Sequence, residues 1–115
     1  MMYGWIITTD KLAKAGKKGD VGTLGPRGCT EALQARLEAE LPADGVTPLA
    51  ARLPVPEGMD RVRFRMYDDD GEHYYSGTLI MDGEAEGFEP LDDFGMPGAG
   101  CTEIRLFEHG RWATL

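Results

Sequence analysis

Between Asp60 and Tyr67 the chain reads DRVRFRMY, with Val62, Phe64 and Met66 alternating with Arg61, Arg63 and Arg65. A period of two puts the apolar and basic side chains on opposite faces of one strand. The run EHYYSGTLIM that follows suits a second strand, and Asp70-Gly71 between the two is a hairpin signal. Pairing about that centre sets Met66 opposite Tyr75, Phe64 opposite Gly77 and Val62 opposite Leu79. The faces agree whether the loop has two residues or four. The outer face then carries Arg61, Arg63, Arg65, Tyr67, Tyr74, Ser76 and Thr78.

A different period governs TEALQARLEAELP, where Leu33, Leu37 and Leu41 recur every four residues. Thr30 can cap the first turn, Glu31 suits the positive end of the dipole, and Pro42 cannot continue the helix. The spacing predicts a helix over 30–41 whose leucine face packs on a sheet. YGWIITT, from Tyr3 to Thr9, suits a strand. VGTLGPRG reads as a short strand leaving through a Gly-Pro turn, and TEIRLF and RWATL around EHG as a terminal hairpin. Asp82 to Gly100 reads as an ordered loop held by Leu91, Phe94 and Met96, long enough to be functional or to contain a helical turn. The expected fold is α+β: one domain over 1–115, a mostly antiparallel sheet of six or seven short strands, and one helix packed on one face.

Composition adds one feature to that pattern. From Met66 to Ile104 there are eleven carboxylates and no Lys or Arg, and the whole chain carries a net charge of -8. A turn needs one Asp, whereas this hairpin has Asp68, Asp69, Asp70 and Glu72. No apolar stretch reaches bilayer-spanning length, and Met1 to Asp10 lacks the basic flank and cleavage site of a leader, so the expected setting is soluble and cytoplasmic. There Cys29 and Cys101, without C-x-x-C spacing, are expected to be free thiols.

Motif chemistry is mostly excluded. DDDGEH does not match a calcium loop, because the glycine comes too early, and adjacent acids at a strand end point to opposite faces rather than to one ion. GTLGPRGCT lacks the Lys of a phosphate loop, and no G-x-S-x-G elbow is present. Cys29 directly before the helix could be a nucleophile or anion site with His73 or His109 as base; the competing reading is a small buried residue. Arg61, Arg63 and Arg65 with Tyr67 and Tyr74 could grip phosphates, against a solvated face paired with nearby acids. No catalytic residue, cofactor or metal ion is assigned.

FRMYDDDGEHYYSG and FEPLDDFGMPGAGCT resemble segments of small uncharacterised acidic proteins of bacteria and their phages, over about the C-terminal half. By size and acidity alone the chain is similar in kind to phage anti-CRISPR and anti-restriction proteins. That likeness implies a non-enzymatic inhibitor or adaptor that binds a basic nucleic-acid-handling partner, in part by imitating nucleic acid. Its binding residues would be Asp68, Asp69, Asp70, Glu72, Asp82, Glu84, Glu86, Glu89, Asp92 and Asp93. The alternatives are a small enzyme or ligand-binding domain using Cys29, and a nucleic-acid binder using the arginines and the lysines near Lys11. Neither membrane nor direct nucleic-acid binding is the favoured expectation, and a free edge strand could support a homodimer.

Overall fold

A computed structural model of the chain describes residues 2–14, 19–26, 30–41 and 54–115. Its elements run β1 (Tyr3–Asp10), β2 (Leu24–Gly25), α1 (Glu31–Glu38), β3 (Met59–Tyr67), β4 (His73–Asp82), α2 (Met96–Ala99), β5 (Glu103–Glu108) and β6 (Arg111–Thr114). A π-helical turn, Leu91–Gly95, leads into α2. The strands form one six-stranded sheet in the order β2-β1-β4-β3-β5-β6, and every neighbouring pair is antiparallel. The fold is α+β, as the two hydrophobic periods require.

The central hairpin keeps the register expected of it: Val62, Phe64 and Met66 pair with Leu79, Gly77 and Tyr75. These residues, with Trp5, Ile7, Ile104 and Leu106, make the larger core on what we call the inner face. Its cover is the segment after β4, which contributes Leu91, Phe94, Ala99 and Cys101. Met96, expected to help hold that segment, is instead 50% exposed, and the buried anchor is Cys101. The helical geometry turns Met96 outward while Gly95 lets the backbone approach Met66 and Cys101.

On the outer face Ile6 and Ile80 meet Leu33 and Leu37 of α1 in a second, smaller core. Thr30 caps the helix by accepting from the Leu33 amide at 3.2 Å, and Gly4 leaves room for both leucines. The helix is shorter than the expected 30–41, ending regular geometry at Glu38. At eight residues it is about 12 Å long. Six strands spread over about 24 Å, so α1 covers only the part of the outer face near β1, and no other described helix covers the rest.

Two side chains depart from the expected faces. A bulge between Met66 and Tyr67 pairs Tyr67 with His73 and leaves Tyr74 as the extra residue. Tyr74 therefore packs against the inner core, and His73 takes the expected outer position beside Tyr67. The loop spans Asp68 to Glu72, longer than the two or four residues expected. Asp68 Oδ1 accepts from the amides of Asp70 and Glu72 at 2.9 and 2.8 Å, and Gly71 supplies the left-handed φ of 80°.

Candidate functional site

Beside α1 the outer face forms a groove of about 660 Å³. Its floor is laid by β1, β4 and β3: Thr9 pairs with Ser76 and Ser76 with Arg65, while Thr78 pairs with Arg63. Glu40, just beyond α1, closes one end, and Trp112 of β6, Lys11 and His73 complete the lining. Among the described residues four cations and one carboxylate face it: Lys11, Arg61, Arg63, Arg65 and Glu40.

That carboxylate is already committed. Glu40 is 3% exposed and holds Arg61 through two hydrogen bonds, to Nε and, at 2.9 Å, to Nη2. It also meets Arg36 Nη1 at 3.3 Å, one helical turn back. Arg36 is itself buried, at 7% exposed. The hydrogen bonds to Glu40 hold the Arg61 guanidinium above its ordinary value.

Arg63 and Arg65 have a different environment. The Arg65 guanidinium lies 4.0 Å from the centre of the Trp112 ring, and that of Arg63 lies 5.7 Å from Trp112 and 5.8 Å from Phe107. Cross-strand pairing of Arg63 with Phe107 and of Phe107 with Trp112 explains the stack. Arg105, on the same face, stacks 4.0 Å over Tyr67 and bonds Glu103. Among the described residues, Lys11, Arg63 and Arg65 have no carboxylate within ion-pair distance.

His73 sits in the groove with Nε2 at 2.7 Å from Ser76 Oγ and 3.0 Å from the Tyr75 carbonyl oxygen. The Tyr75 carbonyl can only accept, so that contact is a hydrogen bond in the tautomer that carries its hydrogen on Nε2, and in that tautomer Nε2 cannot take a proton from Ser76. Burial lowers the affinity of His73 for a second proton, as do Arg65, Lys11 and Arg105, against the opposing effect of the Tyr75 carbonyl.

The ten expected carboxylates are not one surface. Asp68, Asp69, Asp70 and Glu72 occupy the β3–β4 loop, while Asp82, Glu84 and Glu86 follow β4. The ten residues of β4 separate these groups by about 30 Å. Glu89, Asp92 and Asp93 belong with the second group, since all three act on Tyr3, whose neighbour in the sheet is Met81. Several serve the backbone: Asp82 accepts from the Met2 amide at 2.7 Å, and Glu89 from the amides of Glu86 and Gly87. Asp93 accepts from Trp5 Nε1 and Tyr3 Oη, each at 2.9 Å. Burial, followed by this bond, raises Tyr3 to about 12. Glu72's amide holds Asp68 below the usual carboxylate range.

Cys29, with the region just before α1, lies outside the described residues, as do Lys17 and Lys18. Cys101 is a free thiol, fully buried, and burial raises it to about 11. His109 occupies the β5–β6 turn at φ 53°. Among the described residues no group of three or more His, Cys, Asp or Glu side chains is placed to hold a metal ion, and no helix is long and apolar enough to cross a membrane.

The alternating arginines signalled this site, but its walls were not legible. Thr8, Thr9 and Trp112 come from the two ends of the chain, and only the sheet order brings them to β3. Comparison with protein-family models, with curated proteins and with solved structures finds no match to the chain.

Proposed function

We propose that this chain is a binding protein, without catalysis of its own, whose working surface is the outer-face groove and whose ligand is an anion. The observation that carries this is the company of Lys11, Arg63 and Arg65. In a chain with 20 Asp and Glu against 12 Lys and Arg, these three adjoining cations have no described carboxylate partner. Trp112 lies against both guanidiniums, and no described group hydrogen-bonds their N–H donors, which remain for a ligand. Titration calorimetry at low salt with small polyvalent anions tests the assignment. Binding is expected to weaken with salt and to be lost in an Arg63→Ala/Arg65→Ala double variant that keeps its circular dichroism. Equal affinity in the double variant sinks the proposal.

A second reading rests on separate residues. Asp69, Asp70 and Glu72 are exposed on a loop that Asp68 holds in shape, which suits an inhibitor or adaptor docking on a basic nucleic-acid-handling protein. Replacing the three by their amides should abolish salt-sensitive capture of such a protein while leaving anion binding intact. Undiminished capture by that variant removes this role.

A further inference from the structure

Resting on the anion-binding assignment, we infer that the groove takes a terminal phosphate ester of nucleotide size, its phosphate between Arg63 and Arg65 and its organic part along the Arg65–Trp112 stack. The charge comes first. With Glu40 committed to Arg61 and Arg36, three lining cations remain, and a monocarboxylate would leave two of them unmatched. A phosphate monoester carries close to two negative charges at neutral pH.

Donor geometry points the same way. Arg63 and Arg65 are two residues apart on one strand face, about 7 Å along it, and both lean on the same indole. Two forks approaching from different positions need more than two acceptor atoms to share one ligand. A planar carboxylate has two oxygens and satisfies one fork; a terminal phosphate has three. The hydroxyls of Thr9, Ser76 and Thr78 line the same groove and can donate to phosphate oxygens, while that of Thr8 donates to the Ser76 carbonyl oxygen.

Size and shape set the rest of the ligand. A groove of 660 Å³ falls within the range for small organic ligands and is far larger than a bare phosphate requires. Trp112 is half-buried, with the Arg65 guanidinium carbon 4.0 Å from its ring centre, and an arginine backed by an indole is a platform for a nucleobase. The Glu40 carboxylate at the α1 end repels a polyanion running through the groove, which favours a phosphate terminus over a chain of diesters.

The test is calorimetry on the full chain with four probes: a nucleoside monophosphate, pyrophosphate, citrate, and an oligonucleotide lacking terminal phosphates. The monophosphate and pyrophosphate are expected to bind one per chain. Arg65→Lys, which keeps the charge but loses fork and stack, should weaken the monophosphate about tenfold or more. Should that variant lose its fold, Lys11→Gln, at an exposed position, is expected to weaken binding as well. Arginine-dependent binding of citrate without either phosphate overturns the phosphate assignment and leaves the anion groove standing. Preference for the oligonucleotide overturns the terminal-phosphate assignment. Absence of arginine-dependent binding by every probe overturns both.

Discussion

Glu40→Gln separates the two roles of the one carboxylate that lines the groove among the described residues. The substitution keeps the shape of the side chain but puts an amide NH2 against one guanidinium, where donor faces donor. Removing one partner of a buried ion pair costs about 3–5 kcal/mol. Glu40's side chain is 1% exposed, so its desolvation has been met in the folded state; Arg61's is 37% exposed and can rehydrate, which places the expected loss near the lower end, about 3 kcal/mol. With a urea m-value of about 1–3 kcal/mol/M, the unfolding midpoint should fall by about 1–3 M at unchanged m. A domain of ordinary stability, about 5–15 kcal/mol, remains folded after that loss. Phosphate binding should respond in the opposite sense, tightening because the repelling carboxylate is gone. A stability loss below about 1 kcal/mol, the range of a surface pair, refutes the burial argument, and unchanged or weaker phosphate affinity refutes the placement of Glu40 at the ligand.

Three further outcomes follow from separate parts of the fold. Gly77→Ala puts a Cβ 2.1 Å from the Ile6 carbonyl oxygen and 2.5 Å from Phe64 Cζ, so thermal unfolding should show about 1–3 kcal/mol of destabilisation; an unchanged transition refutes the close approach. Asp93→Ala removes the acceptor of the buried Trp5 indole and should cost about 1–3 kcal/mol, while the Tyr3 phenol titrates part of the way back towards 10.0; a phenolate titration still at about 12 shows that burial alone raises it. For His73, whose folded value lies below 6.5, the unfolded chain binds more protons in the window between the two values, so stability falls as pH drops through it. A bound anion offsets the field of Arg65, Lys11 and Arg105, so binding of sulfate, an anion that does not itself titrate in that window, should take up protons. Calorimetry in buffers of different ionisation enthalpy that finds no proton uptake argues against His73 facing the ligand.

Local pattern was enough for the central hairpin and for α1. Alternation along β3 and β4 admits one register that buries Val62, Phe64 and Met66, because a slip of one residue would put all three on the basic face. Leucines four apart admit one buried helix face, and Leu33 and Leu37 lie on it. The arginines of β3 were likewise readable as one surface. What pattern could not convey is which neighbours that surface acquires. A helix too short to cross the sheet stops beside a groove on the outer face; a bulge at Tyr74 turns that ring inward and brings His73 out; and β6, the last strand in sequence, lays Trp112 beneath Arg65. The acids show the same limit in reverse: close in sequence, they part to opposite ends of β4 because a strand carries its two ends about 30 Å apart. Periodicity reports which way a side chain points; what it meets there depends on strand order and helix length, and only the tertiary structure decides those.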